Sequence, residues 1–463
     1  MNRAAVIIGL QVVAFCPVWR WYVERLTTGG GEEAWGLLAL ATAAGCYWKG
    51  AKPVDAEKSR LFPLWLPAAL VLVYAAAYPV APPLMRAMVA FAALGCTLNL
   101  WRFGRAFHPG ALGLVCLSLP LVPSLQFYGG YPLRALVAQC AAPLLRLGGF
   151  AVTPEGTCLN WGGQLIWIDA PCSGVRMLWA GLYLACTLAC VYELRARRTL
   201  ALLCIAFAAI LAGNVWRAVA LFYTEAGVVR WPAWTHDAAG LMSFALVGIA
   251  VLLAARYLRR NTSKGPARTA AKQRRFMRRT IPYLIACVLA GAMPFVAVRV
   301  ASDAVHNGGA RAHDFPGWPA QFDRRALTEL PLTERELRFQ DDFPGRTARF
   351  TDGRREIVMR WVTEPTRKLH PASACFAGVG YDVRPLPLRV AADNTRWGCF
   401  AATRRDERLR VCERISDAAT ITAIIGADAR SWPDVSSWYW AALTNRVAHP
   451  PWWAVTVAEK EAD

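Results

Sequence analysis

The chain has 463 residues, 56% of them hydrophobic, with 20 tryptophans and a mean hydropathy of +0.28. That is too apolar for a soluble domain of this length, and it excludes an ordinary soluble enzyme in favour of a polytopic membrane protein. The formal net charge of +20 then reads first as cytoplasmic loops held by the positive-inside rule, and no nucleic-acid partner is expected.

Residues 5–23 are the first apolar span, with a basic start at Arg3 and no small-residue cleavage site after it, so a retained helix is expected. Residues 34–48 form a second, short span, and the linker at 49–60, with Lys49, Lys52, Lys58 and Arg60, belongs on the cytoplasmic side. Residues 61–82 cross outward, 84–101 return, and Arg102 and Arg105 mark the cytoplasmic side again. Residues 111–127 then cross outward. Residues 132–148 are expected to lie along the interface, because Arg134 and Arg146 flank an apolar stretch too short to span.

Residues 149–170 break the helical pattern. Turns at Pro154-Glu155-Gly156 and Gly162-Gly163 separate short strand-like runs and predict a small β-hairpin on the outer face. It leads into Ala170-Pro171-Cys172-Ser173-Gly174, and an apolar helix follows over 175–192 with Ser173 placed as its N-cap. Cys172 therefore stands where a helix dipole and unpaired N–H groups lower a thiol pKa; the alternative is a cysteine that packs as a small hydrophobe.

The helix at 175–192 returns to the basic turn Arg195, Arg197, Arg198, and a helix at 199–223 goes out again with Asn214 and Arg217 three residues apart on one face. A cation in such a helix either marks a functional site or snorkels to the interface. Asn214 is expected to hydrogen-bond Arg217 or a neighbouring helix. The next helix, 238–258, is preceded by Thr235-His236-Asp237, where the histidine either caps the helix or serves as a base. At 1.5 Å per residue Arg217 lies about 9 Å below the outer end of its helix, so Cys172, Arg217 and His236 converge at the outer interface. They would supply a nucleophile, an anion-stabilising cation and a base. Arg176, one turn beyond Cys172, either binds an acidic group or anchors at the interface. No phosphate loop, metal cluster or paired carboxylate stands out in the spans, so neither a metal nor a cofactor is expected.

Ten Lys and Arg between Arg256 and Arg279, with no acid between Asp237 and Asp303, read as a cytoplasmic anchor that also touches anionic membrane lipid. Residues 281–300 form a last span, and from 301 the composition is that of a soluble domain. If Arg404–Glu407 form a turn between RWGCFAAT and RLRVCERI, Thr403 faces Arg408 and Cys399 faces Cys412, a pair open to disulfide formation in an oxidising compartment. Cys375 is left, with His370 nearby: a second reactive pair, a partner for another thiol, or an ordered loop around a buried cysteine. The expected fold is an all-α polytopic membrane protein of about nine transmembrane helices, with a small outer β-hairpin and a C-terminal soluble α+β domain. Its divisions are 1–260 (membrane domain), 261–280 (basic linker), 281–300 (last span) and 301–463 (outer domain).

Three motifs on consecutive helices, Ala170-Pro171-Cys172-Ser173-Gly174-Val175-Arg176 after the hairpin, Asn214-Val215-Trp216-Arg217, and His236-Asp237-Ala238-Ala239-Gly240, resemble those of the exosortases. These are membrane-embedded cysteine protease/transpeptidases, and the resemblance covers roughly residues 60–260. The stretch from His370-Pro371 through Cys375 to Gly378-Val379-Gly380-Tyr381 resembles the exosortase-associated periplasmic domain, departing from it at Phe376-Ala377, where a more proline-rich turn is expected. The resemblance implies Cys172 as nucleophile, His236 as general base or acid and Arg217 as the residue that steadies an oxyanion or the thiolate, with Ser173, Gly174, Arg176 and Asn214 in support. It implies as partners exported proteins with a C-terminal sorting signal (a Pro-Glu-Pro-like motif, a transmembrane helix and a basic cluster), a link to exopolysaccharide machinery, and a place in the bacterial inner membrane with the site and tail periplasmic. The rival reading is a membrane component of exopolysaccharide assembly or transport that binds an anionic ligand through Arg217.

Overall fold

Apolar segments before residue 261 fold as helices, and the segments after 313 fold mostly as strands. The structure is a computed structural model that describes residues 3–28, 35–49, 65–79, 81–103, 105–168, 174–230, 232, 234–260, 290, 314–340, 343–391, 395–417, 430–443 and 451–461. The expected linker at 261–280 and, apart from Ala290, the expected span at 281–300 lie outside these residues.

The described residues divide into two compact units. The first draws on Met1–Pro123, Val175–Gly213 and Asp237–Gly309. It opens with α1 (Arg3–Ala14) and α2 (Cys16–Thr28). The single span expected at 5–23 is therefore broken, with a 67° bend between Val6–Ala14 and Cys16–Thr27. Pro17 accounts for the position of the break, since it has no N–H to donate backward and is tolerated only in the first turn of a helix. Then come α3 (Trp35–Lys49), α4 (Trp65–Ala77), α5 (Pro83–Phe103) and α6 (Pro109–Leu117). The unit continues with α8 (Val175–Val191) and takes in the first part of α9 (Ala196–Glu225) and most of α10 (Trp234–Arg260). α10 begins four residues earlier than the sequence suggests.

Small residues let these helices approach closely. Ala185, Ala189, Leu202, Ala206, Ile210, Val247, Val251 and Ala255 make one buried seam of α8, α9 and α10. Polar side chains close backbone groups between helices: Ser243 Oγ of α10 donates to Gly213 O of α9 at 2.7 Å, and Trp179 Nε1 of α8 donates to Leu117 O of α6 at 3.2 Å. Among the described residues three helices, Pro83–Phe103, Ala196–Glu225 and Asp237–Arg260, are long and apolar enough to cross a membrane, and five segments are if each bent pair is one span. Nine crossings are not shown among the described residues: the bends divide two apolar segments, α4 and α8 have 13 and 17 residues, and the span expected at 281–300 lies, apart from Ala290, outside them.

The second unit draws on Ser124–Gly174, Asn214–His236 and Ala310–Asp463. α7 (Val122–Leu147) runs without interruption through Pro132 and Pro143, which corrects the division into a span ending at 127 and an interfacial helix starting at 132. Three antiparallel strands follow, β1 (Val152–Glu155), β2 (Cys158–Trp161) and β3 (Gln164–Trp167), one strand more than the expected hairpin. Pro154 and Glu155 pair with Leu159 and Cys158 inside the ladder. Gly162 and Gly163, at φ +58° and +87°, make the tight β2–β3 turn that only residues tolerant of positive φ close.

In the C-terminal residues β4 (Gln321–Phe322) pairs with β5 (Arg325–Ala326), and the strands after them build a larger antiparallel sheet. Its strands are β6 (Thr328–Leu330), β7 (Gly345–Thr351), β8 (Arg355–Val362), β9 (Asp382–Val390), β10 (Arg396–Arg404), β11 (Glu407–Ser416), β12 (Ser431–Trp432) and β13 (Trp452–Lys460), in the order β6-β7-β8-β13-β11-β10-β9 with β12 on β11. Alternation along the strands builds two apolar faces. Ile357, Met359, Trp361, Trp453 and Val455 face Phe322 and the segment carrying Phe315 and Trp318. Val362, Ile415, Trp452 and Ala454 face Leu369, Val435, Trp438 and Phe127 of α7. Three short helices, α11 (Glu334–Gln340), α12 (Ala372–Gly378) and α13 (Val435–Leu443), complete the unit. Within it β10 and β11 pair with Thr403 opposite Arg408, and Cys399 opposite Cys412 is bridged, with Cα atoms 4.1 Å apart.

Candidate active site

The three segments that carry the candidate residues all belong to the second unit: the end of the β1–β3 sheet through Gly174, the C-terminal part of α9 from Asn214, and the start of α10 to His236. Cys172 and Ser173, with Asp169 to Pro171, lie outside the described residues, and so does the His236 side chain. His236 itself is the third residue of α10, within its first turn. Arg176 is exposed in the first turn of α8.

Gly174 is buried at φ +72°, immediately before α8 begins at Val175. Its backbone lies against the side chain of Asn214, close enough that a Cβ at this position would overlap the Asn214 amide nitrogen. Both the backbone conformation and the contact therefore require glycine. The residue two positions after Cys172 thus touches α9 one helical turn before Arg217. Asn214 is 4% exposed, and Arg217 is half-buried with its Nε shielded from solvent.

What holds the strands that lead to Cys172 is visible residue by residue. Phe150 packs on Phe222 and Tyr223 of α9, with ring centroids 5.3 Å apart in both pairs, and Trp161 adds a contact to Phe222 at 5.9 Å. Arg146 Nε donates to Val152 O at 2.7 Å. On the other side the strands meet the C-terminal sheet. Glu155 accepts from Asn160 Nδ2 at 2.6 Å and from Arg396 Nη2 at 2.9 Å, and these two donors hold its carboxyl below the ordinary range. The Trp167 ring lies against Gly398 and its Nε1 donates to Thr157 Oγ1 at 3.2 Å.

A buried ion pair ties α7 to the same sheet. Arg134, 3% exposed, donates to Asp434 Oδ1 at 3.0 Å, and its guanidinium carbon lies 5.8 Å from the Trp167 ring centroid. Arg134 is therefore not an interface anchor, as its flanking position suggests, but the centre of the α7–α13 contact. Next to it Pro132 has no N–H for the carbonyl of Tyr128, and Trp440 Nε1 donates to that carbonyl instead, at 2.7 Å. Ser436 Oγ stands in for the neighbouring helical bond, accepting from Tyr131 N at 3.1 Å and donating to Phe127 O at 2.6 Å. α13 thus repairs the backbone that proline breaks in α7.

The other cysteines of this unit have different surroundings. Cys158 is buried beneath β2, and desolvation pushes its thiol up to about 11, which leaves it protonated at neutral pH. Cys375 is exposed on α12, not buried in a loop. Ala372 N, in the first turn of α12, donates to Glu413 Oε2 at 2.7 Å. His370 is exposed, its ring 5.7 Å from that of Phe339. Burial raises the Glu413 carboxyl to about 7. Sequence reasoning missed Glu155, Asp434, Arg396 and Glu413, whose partners are remote in the chain. Arg134 carried the same signal as Arg217, a cation within an apolar helix. No group of three or more metal-ligating side chains occurs among the described residues.

The family comparison fits this geometry. Residues 28–253 match the model of the transmembrane exosortases, a range that includes the Cys172 segment, Asn214, Arg217 and His236 and stops before the C-terminal sheet. No curated protein and no solved structure matches the chain. The family likeness is carried by residues 28–253, just under half of the chain, which are similar to the transmembrane exosortases.

Proposed function

We propose that the protein is a membrane-embedded cysteine endopeptidase or transpeptidase that cleaves the C-terminal sorting signal of exported proteins. The signal would be a Pro-Glu-Pro-like motif followed by a transmembrane helix and a basic cluster, cut at the periplasmic face of the bacterial inner membrane. In this reading Cys172 is the nucleophile, His236 the general base and acid, and Arg217 the oxyanion-stabilising cation. One observation carries it: Gly174 is packed onto Asn214, so the end of the Cys172 segment meets α9 one turn from Arg217, inside the range that matches the family.

The Cys172 thiolate attacks the scissile carbonyl carbon, the carbonyl electron pair moves onto oxygen, and Arg217 stabilises the charge that develops there. Collapse breaks the C–N bond, His236 gives its proton to the leaving amine, and a thioester on Cys172 remains. Water or an acceptor amine then resolves the thioester. The Cys399–Cys412 disulfide supports an oxidising, periplasmic setting for the C-terminal sheet, and the reading extends to a link with exopolysaccharide production.

The test is co-expression with an exported protein that ends in such a sorting helix, with cleavage followed by mass spectrometry for wild type and Cys172→Ala. Loss of cleavage in a normally inserted Cys172→Ala protein, with a thioester adduct on Cys172 in wild type, is the expected result. Equal processing by both would overturn the reading and favour anion handling around Arg217.

A further inference from the structure

The face of the C-terminal sheet that carries the disulfide has a cleft in which four arginines from three strands converge. Arg355 comes from β8, Arg389 from β9, and Arg410 and Arg414 from β11, with Asp323 and Glu459 on the same walls. The two acids are already engaged: Asp323 accepts from Arg355 at 2.7 Å and Glu459 from Arg354, outside the cleft wall, at 2.8 Å. Arg355 is further held by Asp352 at 2.7 Å. Arg389 and Arg410 are exposed and make no ion pair among the described residues. Arg414 lies at the floor, 3% exposed, its guanidinium carbon 4.7 Å from the Trp397 ring centroid.

Four guanidinium groups against two carboxylates leave the lining with a net charge of +2. The floor beneath them, formed by Trp397, Val457 and Cys412, is apolar and rigid, being part of the β10–β11–β13 ladder. A single carboxylate is satisfied by one forked guanidinium. Cations that arrive from several directions with an excess of two charges suit an anion that has several oxygens and about two negative charges.

We propose that this cleft is a binding site for a phosphate-type oxyanion, held by Arg389, Arg410 and Arg414 over the Trp397 floor. Its residues lie outside the range that matches the exosortases. The same phosphate chemistry is offered by inorganic phosphate, by a sugar phosphate and by a phospholipid headgroup.

The experiment is isothermal titration of the full-length protein in detergent with inorganic phosphate, glucose 1-phosphate and dihexanoyl phosphatidic acid, with glucuronate as the monocarboxylate comparison. Saturable binding of one phosphate-bearing ligand per chain is expected, weakened at least about tenfold in Arg389→Gln/Arg410→Gln and unchanged in Arg405→Gln at the β10–β11 turn. Preference among the three phosphates identifies the source. Both substituted positions are exposed, so near-ultraviolet circular dichroism of the variant should match wild type. The proposal is overturned by an absence of saturable phosphate binding up to about 10 mM, by unchanged affinity in the double variant, or by glucuronate binding as tightly as the phosphates.

Discussion

Replacing Asp434 by asparagine removes one charge and little else, which makes it the sharpest probe of how the strands leading to Cys172 are supported. Arg134 is 3% exposed and the Asp434 side chain 14%, so solvent screens the pair weakly, and an uncompensated guanidinium would remain among Trp167, α7 and α13. Breaking a buried pair from one side costs about 3–5 kcal/mol, mostly from the stranded charge. The side-chain amide introduced by Asp434→Asn would keep an oxygen for the Ser437 N–H that Asp434 Oδ1 now accepts at 3.0 Å, so loss of the helix cap adds little. At about 3 kcal/mol the locally open population would rise roughly hundredfold. Native-state proteolysis of the full-length protein in detergent reads that population when closing outpaces cleavage, and cleavage in 124–168 or 430–443 should accelerate accordingly. Arg134→Met with Asp434→Asn should recover most of the loss, because no charge is left buried. An unchanged proteolysis rate in Asp434→Asn, or a double variant as labile as the single one, would refute the argument.

Gly174→Ala should abolish substrate processing with membrane insertion intact. An L-residue at φ +72° costs about 1–2 kcal/mol, and the added methyl displaces Asn214; combining it with Asn214→Ala should restore part of the activity in the same mass-spectrometric assay. Glu413 has a folded-state pKa raised to about 7 above an ordinary glutamate value near ~4.3. The folded state therefore binds the extra proton between these values, and stability of the C-terminal sheet should fall as pH rises through that window. Glu413→Gln should flatten the dependence in thermal unfolding scans from pH 4 to 8. Reducing Cys399–Cys412, which closes a separation of 13 residues, should cost about 2–3 kcal/mol, seen as a lower denaturation midpoint in dithiothreitol; an unchanged midpoint would count against the bridge as a stabilising element.

Elements whose information is local are legible in the chain itself. The apolar runs at 84–101, 175–192 and 199–223 lie within α5, α8 and α9 or reach one residue past an end, because length and hydropathy alone make them helices. The turn at Arg404–Glu407 sets the β10–β11 register, since a two-residue alternation admits few ways to close. The interval 111–148 misleads for an equally local reason. Pro132 ordinarily ends a helix, and nothing nearby in sequence tells that Trp440 and Ser436 satisfy the groups it orphans. The same remoteness hides Asp434 as partner of Arg134 and Arg396 as partner of Glu155. At the candidate site the residue types of Cys172, Arg217 and His236 are legible, and Gly174 stands out only as a neighbour. Its constraint comes from Asn214, 40 positions on in the sequence, and only packing reveals it.

The proline repair in α7 also has a direction in time. The side chains that complete the Phe127–Tyr131 turn and cover the Tyr128 carbonyl lie 305 to 312 residues downstream, so the ribosome finishes α7 long before its missing partners exist. Until α13 arrives, two carbonyls and one amide of α7 depend on water or makeshift partners, and contacts of such separation form slowly. The helix laid down early is thus signed off by residues made near the end, and a chain truncated before Ser436 would keep every membrane-domain motif while lacking the part that sets α7 in place.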